Sequence, residues 1–417
     1  MDTQLADWIK DTPEGQTAEA ILRKCVHCGF CTATCPTYQV LGDELDSPRG
    51  RIYLIKQVLE GKAVTRKTQE HLDRCLTCRN CESTCPSGVK YGQLVDIGRK
   101  VVDERVPRPK QEQLLRDGLK TLMTTPWLFK PGMAMGKAVR GLLPDALAAK
   151  IPKPRPEFKA PQGQHLRRVI LLNGCVQPAM MPSIDQATAL VLDALGIQAR
   201  AVPNSGCCGA VKFHLNDHDG GKAQMKANID AWFPMLESGH AEALVMNASG
   251  CGVTVREYHL HFADDPAYAD KARLVSDKTM DIGEFILRQT AQALQPIVDA
   301  VQQAIREEKI PHRIAFHPPC TLQHGQQLKG VVEGLLTRVG FELTPVPDAH
   351  LCCGSAGTYS VLQPELSSTL KTRKLHSLMA GKPQAIASAN IGCLTHLESE
   401  AAVDVRHWVE WVAQALA

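Results

Sequence analysis

Two cysteine-rich runs constrain the fold of this 417-residue chain more than any other feature of its sequence. The first run is CVHCGFCTATCP, from Cys25 to Pro36, and the second is CLTCRNCESTCP, from Cys75 to Pro86. Each cysteine of the first run, together with the closing proline, recurs fifty positions later. The front of the chain therefore contains a duplicated unit whose repeated feature is a set of closely spaced thiols.

The bulk composition is that of an ordinary soluble globular protein, with 44% hydrophobic and 22% charged residues. The length favours two or three domains rather than one core. No apolar run approaches the roughly eighteen residues of a membrane-spanning helix, and the N-terminal stretch MDTQLADWIKDTPEGQ lacks the features of a secretory signal. We therefore expect a cytoplasmic protein, in which clustered thiols serve as metal ligands or redox groups rather than disulfides.

Between the two runs, DSPRGRIYLIKQVLEG predicts a helix that begins after a cap at Asp46 or Ser47, with Pro48 in its first turn. Its apolar stripe comprises Ile52, Ile55, Val58 and Leu59. The unit that carries the thiols is therefore predicted to be helical.

The spacing C-x2-C-x2-C-x3-C-P resembles the run of bacterial two-cluster ferredoxins, in which the fourth cysteine ligates the other cluster. The resemblance implies an α-helical ferredoxin-like domain over residues 1–104 with two [4Fe-4S] clusters. It implies two ligand sets: Cys25, Cys28, Cys31 and Cys85 for the first cluster, and Cys75, Cys78, Cys81 and Cys35 for the second. Reduced core cysteines and structural zinc are the alternatives, but zinc closes its site with two C-x-x-C pairs and needs no third cysteine. His27 is expected to be an exposed or supporting residue rather than a ligand.

Residues 105–165 are rich in proline and basic side chains and are predicted to be a linker. Residues 105–168 carry fourteen Lys and Arg against four Asp and Glu, whereas the rest of the chain is net acidic. A short amphipathic piece is expected within residues 125–144. Two interpretations stay open: a solvated connector, or a docking surface for an acidic partner subunit or anionic lipid head groups. The second interpretation would place the protein peripherally on the cytoplasmic face of the inner membrane.

From residue 166 onward, short β-branched runs alternate with amphipathic helices, which is typical of an α/β sheet. A second duplication spans residues 166–300 and 305–417, with predicted helices at about Ser183–Leu195 and Gln326–Val339. In both halves, 31 residues separate the first cysteine from a Cys-Cys-Gly triplet. We expect the cysteines at the carboxyl ends of strands, where ligands collect in open α/β sheets.

The triplets end in Gly209 and Gly354, which permit positive φ or close backbone approach. This half of the chain resembles the cysteine-rich CCG domain family, found in heterodisulfide reductases and in complexes that oxidise lactate, glycolate or glycerol 3-phosphate. The family's final C-x-x-C is absent from both halves, and His396 occupies the position of the missing cysteine in the second. His396 is either a replacement ligand or a surface or supporting histidine, and His317 and His324 are expected to be structural.

The resemblance implies one or two further iron-sulfur clusters, or a redox-active thiol site, in the CCG repeats. The candidate ligands are Cys175, Cys207, Cys208 and Cys251 in the first repeat, and Cys320, Cys352, Cys353 and Cys393 in the second.

Longer strings, among them ILRKCVHCGFCTATCPTYQVLGDELDSPRGRIYLIKQVLEG, HLCCGSAGTY and ANIGCLTHL, resemble the iron-sulfur subunits of bacterial glycolate oxidase. The resemblance implies an electron-transfer subunit, inactive alone and without catalytic residues, whose flavoprotein partners hold FAD and oxidise glycolate to glyoxylate. A quinone or another acceptor receives the electrons, and no nucleic acid is involved. The absence of G-x-G-x-x-G, phosphate-loop and G-x-S-x-G motifs agrees with a substrate site elsewhere.

Other interpretations stay open. The chain would then be the electron-transfer subunit of a lactate or glycerol-3-phosphate dehydrogenase, a stand-alone heterodisulfide or quinone reductase, or a cluster-based sensor or scaffold.

Overall fold

The computed structural model of the chain describes residues 1–144, 148, 151–161, 163–172 and 174–417. The parts of the predicted linker at 145–147, 149, 150 and 162 lie outside the described residues, as does residue 173. The chain divides into two compact units. The front unit comprises Met1–Gly118, His214–Asn216 and His350–Lys374, and the back unit comprises Leu119–Phe213, Asp217–Ala349 and Leu375–Ala417.

Short helices build the first part of the front unit, as the sequence predicts. They are Pro13–Lys24, Phe30–Ala33, Pro36–Leu41, Pro48–Leu59, Arg66–Asp73, Asn80–Thr84, Tyr91–Arg105 and Lys110–Thr124, with a 3-10 turn at Glu44–Asp46. The predicted helix between the cysteine runs is confirmed as Pro48–Leu59. Ser47 caps it by accepting a hydrogen bond from the Gly50 N–H at 2.9 Å.

The apolar faces of these helices form one core against which the cysteine loops rest. Leu22, Ile55, Leu59, Leu72 and Leu94 are fully buried there. The same core includes the buried thiols of Cys25, Cys75 and Cys81. Each fully buried leucine stabilises the fold by about 1.5–3 kcal/mol relative to an exposed one. The loops that carry the thiols are therefore fixed by packing as well as by their own hydrogen bonds.

The back unit contains two parallel four-stranded sheets of identical topology. The first consists of β1 (Arg167–Leu171), β2 (Ile197–Arg200), β3 (Leu244–Met246) and β4 (Thr279–Asp281), in the order β2-β1-β3-β4. The second consists of β5 (Arg313–His317), β6 (Glu342–Leu343), β7 (Ala385–Ser388) and β8 (Asp404–His407), in the order β6-β5-β7-β8. Equivalent central pairs are in register, for example Ile170 with Leu244 and Ile314 with Ala385. The predicted duplicated α/β architecture is confirmed.

The remaining helices include the crossovers of both sheets. They are Pro126–Ala138, Gln177–Met180, Pro182–Ala194, Ala210–His214, His218–Glu237, Ser249–Arg256, Tyr258–His261, Ala269–Asp277, Ile282–Leu287, Ala291–Arg306, Val331–Val339, Tyr359–Leu362, Pro364–Met379, Ile391–Glu398 and Trp408–Leu416. A 3-10 turn lies at Arg140–Leu142 and a π turn at Thr321–Gly325. In the ranges that the structure describes, no helix has both the length and the apolar character needed to cross a membrane.

The two predicted crossover helices have different outcomes. The one expected at about Ser183–Leu195 is confirmed as Pro182–Ala194. The prediction of a helix from Gln326 was wrong at its start, because the helix begins at Val331 after a π turn. Gly330 has a left-handed φ of +80° and caps this helix.

The two repeats of the back unit pack against each other through matching polar contacts. Ser183 donates to Glu410 Oε1 at 2.7 Å, and the hydroxyls of Ser249 and Thr321 are 2.8 Å apart. Gln326 Nε2 donates to the Ser249 carbonyl at 3.1 Å. The contacts of Ser249 join the segments that follow β3 and β5, so they lie at the carboxyl ends of these strands.

Candidate metal centres

The two cysteine runs repeat in backbone conformation as well as in sequence. His27 and Thr77 have φ values of +55° and +53°, and Gly29 and Arg79 have values of +86° and +60°. A left-handed φ is strained for residues other than glycine. It persists only where the surrounding structure holds the backbone in place, which is often at functional sites. In the second run, the Thr77 N–H donates to Cys75 Sγ at 3.4 Å. The strained loops thus turn backbone donors toward the sulfur atoms.

The thiols that the ferredoxin resemblance assigns to the first cluster line one cavity. These are Cys25, Cys28, Cys31 and Cys85, and the wall also includes His27, Phe30, Ile52, Val89 and Tyr91. Cys81 borders the same cavity. Three of the four thiols come from the first run and one from the second. Burial, followed by the neighbouring Cys25 thiol, raises the pKa of Cys31 to about 11. Proton removal from the Cys31 thiol at neutral pH therefore requires a compensating positive charge, such as a metal.

The thiols assigned to the second cluster are also mutual neighbours. Burial raises the pKa of Cys81 well above its usual range, and Cys78, Cys75 and Cys35 add to the increase. Cys35 Sγ lies 3.3 Å from Thr37 Oγ1, and the Tyr91 hydroxyl lies 3.6 Å from Cys75 Sγ. One thiol of this group comes from the first run and three come from the second, which mirrors the first cavity.

Sequence patterns did not identify two arginines beside the second group. Arg51 and Arg99 are buried on the apolar faces of the helices Pro48–Leu59 and Tyr91–Arg105. The available signal was a charged residue within each apolar stripe, such as Arg51 beside Ile52. Such a residue also occurs where a long side chain reaches solvent, so the pattern alone does not identify a site.

A segment of the second CCG repeat belongs to the front unit and is hydrogen-bonded to the second group. Asn80 Nδ2 donates to the carbonyl oxygens of Thr34 and His350, each at 3.0 Å. The Tyr359 hydroxyl donates to the Arg74 carbonyl at 3.0 Å. Asn80 and Arg74 directly precede Cys81 and Cys75 in the chain. The segment that carries the second Cys-Cys-Gly triplet is thus joined to both sides of this thiol group.

The four thiols of the first CCG repeat form a cluster within the back unit. Cys175 Sγ and Cys207 Sγ are 3.4 Å apart. Hydrogen bonds from the Cys175 and Cys208 thiols lower the pKa of Cys207, because they stabilise its thiolate. Cys208 also hydrogen-bonds Cys251. The predicted residues are therefore close enough to share a metal or to exchange protons and electrons.

Two buried side chains support this cluster and were not predicted from the sequence. Asn228 Nδ2 donates to the Cys207 carbonyl at 2.8 Å, and the Tyr258 hydroxyl donates to the Cys208 carbonyl at 2.9 Å. Both residues lie on helices that follow the triplet, where their amphipathic pattern is that of ordinary core positions. A packing pattern does not distinguish a core residue from one that orients a ligand loop.

The glycine after each cysteine pair has the conformation that the sequence predicts. Gly209 and Gly354 have φ values of +90° and +89°. A Cβ at Gly209 would lie 2.8 Å from the Gly221 carbonyl oxygen, and one at Gly354 would lie 2.6 Å from that of Ser367. Both steric space and backbone conformation therefore require glycine.

Two of the remaining candidate cysteines lie close after strands. Cys320 follows β5, and Cys393 lies in the helix Ile391–Glu398 that follows β7; both are buried. Cys352 and Cys353 are buried in the front-unit segment described above. His396 lies in the last turn of the helix that carries Cys393, and His317 and His324 are buried. His27 is half-buried, and its burial lowers its pKa.

The donor sets fit iron-sulfur clusters. In the front unit, the predicted ligands of each group are thiols alone, grouped four and four, with apolar walls and backbone N–H groups near the sulfurs. Thiolate ligands, sulfur-directed hydrogen bonds and limited solvent access are the features that iron-sulfur proteins share.

Comparison with known protein families identifies the same parts of the chain. Residues 21–89 match the model of the 4Fe-4S dicluster domain. Residues 169–256 and 314–398 each match the model of the cysteine-rich domain. The predicted ferredoxin-type and CCG composition is therefore confirmed, and the chain is an iron-sulfur protein.

Two relatives match the chain along nearly all of its length, and a third matches about half of it. The glycolate oxidase iron-sulfur subunit of Escherichia coli (strain K12) is 52% identical, covering 100% of this chain and 99% of the relative. The probable glycolate oxidase iron-sulfur subunit of Bacillus subtilis (strain 168) is 30% identical, covering 91% and 89%. Lactate utilization protein A of an Exiguobacterium strain is 26% identical over 55% of this chain.

Proposed function

Because the chain belongs to the family of glycolate oxidase iron-sulfur subunits, we propose that it carries electrons in a glycolate-oxidising complex. Flavoprotein partner subunits hold FAD and oxidise glycolate to glyoxylate, which releases two electrons and two protons per molecule. This chain accepts the electrons one at a time and delivers them toward a quinone or another acceptor.

One observation carries the proposal: a single cavity lined by Cys25, Cys28, Cys31 and Cys85. We propose that these four thiolates hold one [4Fe-4S] cluster and that Cys75, Cys78, Cys81 and Cys35 hold the second. When bound, such a cluster gains or loses one electron at a modest change in structure. The apolar core around Cys25, Cys75 and Cys81 excludes water from these sulfurs, and the strained loops supply N–H groups to them.

The surroundings of the two sites support an order for the relay. At the first cavity, Cys28 is exposed and Phe30 is 63% exposed, so a partner subunit can approach this site closely. At the second site, Asn80 donates to the His350 carbonyl and Tyr359 donates to the Arg74 carbonyl, and His350 and Tyr359 belong to the segment that carries Cys352 and Cys353. We propose that the first site faces the flavoprotein and that the second exchanges electrons with the second CCG repeat.

We further propose that the CCG repeats hold one or two additional iron-sulfur clusters, or a redox-active thiol site. The thiol cluster of Cys175, Cys207, Cys208 and Cys251 supports this role for the first repeat. Iron analysis of anaerobically purified protein tests it. About eight iron atoms per chain would account for the two front clusters alone and would contradict clusters in the repeats, whereas about twelve or sixteen would support them.

The complex is proposed to lie in the cytoplasm, with peripheral attachment to the inner membrane. Supporting this, the basic segment carries exposed apolar side chains at Leu114, Trp127, Met135 and Leu142. Basic segments with exposed apolar side chains bind anionic membrane surfaces. Sedimentation of the complex with anionic vesicles at low salt, but not at high salt, is expected; sedimentation with neutral vesicles alone would contradict it.

The test of the electron-transfer role uses the complex copurified with its flavoprotein partners. In Cys28→Ser, glycolate should still reduce the flavin, while transfer to an external acceptor should fall at least tenfold, because the first cluster is lost or altered. Stopped-flow absorbance follows the flavin and an electron-accepting dye follows the transfer. Ser87→Ala, which lines the same cavity without contributing a thiol, is the matched control and should behave as wild type.

If Cys28→Ser still transfers electrons to the acceptor at the wild-type rate, the first cluster does not lie on the electron-transfer path. Turnover of a disulfide or quinone by the isolated chain would favour a stand-alone reductase. Faster flavin reduction by lactate or glycerol 3-phosphate than by glycolate would favour a related dehydrogenase. Normal transfer in Cys28→Ser and Cys78→Ser together would favour a sensor or scaffold.

A further inference from the structure

Arg99 is a buried cation that is hydrogen-bonded without a carboxylate. The residue is 8% exposed, and its guanidinium donates to the carbonyls of Leu72 and Cys75 at 2.8 and 2.6 Å. It also donates to Thr77 Oγ1 at 3.0 Å. All its hydrogen-bond acceptors in the described structure are neutral oxygens; the Asp73 carboxylate acts on Arg99 only through space and is already paired with Arg108 and Arg116. Two of its three partner residues, Cys75 and Thr77, belong to the loop of the second thiol group.

Arg51 contacts the same thiol group through a residue next to Cys35. It is 1% exposed and donates to Thr37 Oγ1 at 3.1 Å, and Thr37 Oγ1 lies 3.3 Å from Cys35 Sγ. Arg51 shares the buried Asp46 carboxylate with Arg74, through contacts of 3.1 and 3.0 Å. The Arg74 side chain is 34% exposed, so solvent screens part of its charge. The buried guanidiniums beside this thiol group are those of Arg51 and Arg99, and of these two only Arg51 pairs with a carboxylate.

Such an excess of buried positive charge is unfavourable unless an anion lies nearby. The free energy lost when an ion leaves water is far larger than the free energy gained from a hydrogen bond to a neutral acceptor. The carboxylate Glu82, which is close to Cys81, is already paired with Arg79 at 3.3 Å. A thiolate-ligated cluster is an anion, and its negative charge increases when it is reduced. The buried cations thus match the charge of the cofactor proposed for this site.

The first cavity lacks an equivalent pair of buried cations among the described residues. Arg49 reaches this region, but its side chain is 36% exposed and is paired with Glu44 at 2.7 Å. The amino group of Met1 donates to the Cys25 carbonyl at 2.9 Å and is only partly buried. Solvent and salt screen such exposed charges strongly. The two sites therefore differ in local electrostatics although their loops are alike.

We infer that Arg99, assisted by Arg51, raises the reduction potential of the cluster at Cys75, Cys78, Cys81 and Cys35 selectively. The inference rests on the ligand sets given under the proposed function. A fixed positive charge stabilises the reduced, more negative cluster, and net charge and hydrogen bonding are established determinants of cluster potential. Arg99 hydrogen-bonds the loop that carries Cys75 and holds a positive charge beside the cluster. It takes no part in the redox reaction itself. The second cluster is therefore a better electron acceptor than it would be with neutral side chains at these two positions.

The experiment is a redox titration of the anaerobically purified complex followed by electron paramagnetic resonance. Cys28→Ser and Cys78→Ser each alter one signal and so assign the two midpoints. Arg99→Gln should make the second midpoint more negative by at least a tenfold change in the reduction equilibrium, about 59 mV for one electron. The first midpoint should stay unchanged. Arg99→Lys keeps the charge and should recover most of the shift.

Two further variants separate charge from folding. Arg108→Gln is the matched control, because Arg108 is equally buried in the same unit but hydrogen-bonds Asp73 and Asp103. It should move neither midpoint. If Arg99→Gln does not fold, Arg51→Gln tests the other buried guanidinium instead and should shift the second midpoint in the same direction.

An unshifted second midpoint in folded, iron-loaded Arg99→Gln, or an equal shift of both midpoints, would overturn the inference. Absence of both cluster signals from the wild-type protein would instead refute the proposed function. The two failures are therefore distinguishable in one titration.

Discussion

Asp281, the last residue of β4, shows how one buried carboxyl couples the fold to pH. It is 1% exposed, and its Oδ1 accepts a hydrogen bond from the Gly283 N–H at 2.8 Å, which caps the helix Ile282–Leu287. Burial raises its pKa from 3.8 to about 7. The folded chain therefore holds a proton here that the unfolded chain has already released at pH 5 to 6. Stability falls as pH rises from about 4 to 7 and then levels off.

Asp281→Asn should remove this dependence, because asparagine retains the capping oxygen and cannot ionise. At pH 8 we expect the variant to unfold at a temperature several degrees higher than wild type, for a gain of up to about 4 kcal/mol. Near pH 4 the two should be similar. Thermal unfolding monitored by circular dichroism across this range measures the effect. The exposed Asp277 provides the control Asp277→Asn, and an identical gain there would rule out burial as the cause.

At the level of single residues, the sequence was informative where chemistry is encoded by spacing. The cysteine runs and the two glycines after the cysteine pairs could be identified because their intervals and conformational needs are local. Arg51, Arg99, Asn228 and Tyr258 could not be identified, because their partners lie far away in the chain. Their contacts result from tertiary packing, which a one-dimensional pattern does not contain.

At the level of elements, one close helix–helix contact in the front unit depends on a glycine. The helices Pro48–Leu59 and Tyr91–Arg105 carry Arg51 and Arg99, and both pack into the same core. A Cβ at Gly98 would lie 2.6 Å from Ile55 Cγ1. The spacing of these two helices, and with it the placement of both arginines, is set at this contact.

Gly98→Ala should lower the free energy of unfolding by about 1–3 kcal/mol through overpacking, despite the better helix propensity of alanine. Urea denaturation measures it. Gly118→Ala is the matched control, since Gly118 lies in the helix Lys110–Thr124 and a Cβ there would meet nothing within 4 Å. That variant should gain up to about 1 kcal/mol. Equal gains in both variants would contradict the close contact.

Periodicity predicted the existence of the elements better than their ends. The helix Pro48–Leu59, which Ser47 caps, and the crossover Pro182–Ala194, which has a proline in its first turn, were placed correctly within one or two residues. The second crossover was extended too far toward Gln326, because Gln326, Gln327, Leu328 and Lys329 all have good helix propensity although they precede the cap at Gly330. A left-handed cap leaves no mark in hydrophobic spacing.

At the level of the whole molecule, internal duplication accounts for most of the fold. Both sheets have the same strand order, and both cysteine loops have the same strained backbone. The repeats were visible in the sequence because cysteine positions recur at fixed intervals. The division into compact units was not visible, because the segment His350–Lys374 joins the front unit from a distant part of the chain.

Removal of iron should destabilise the front unit before the back unit. Its two thiol groups lie against the apolar core, and without a cofactor the charge of Arg99 loses its proposed counterion. After treatment with an oxidant and a chelator, limited proteolysis should cleave first within residues 1–118. Mass spectrometry of the fragments identifies the sites, and untreated protein is the control. First cleavage within the strands of the back unit would contradict this expectation.

The presence of Cys85 in the cavity of the first run has a consequence for how the holoprotein matures. If each run supplies one cysteine ligand to the cluster of the other run, then insertion of either cluster orders part of the binding site for the second. Loading then becomes cooperative. In cells starved of iron, the population should split into complete and vacant molecules, with few that are half filled.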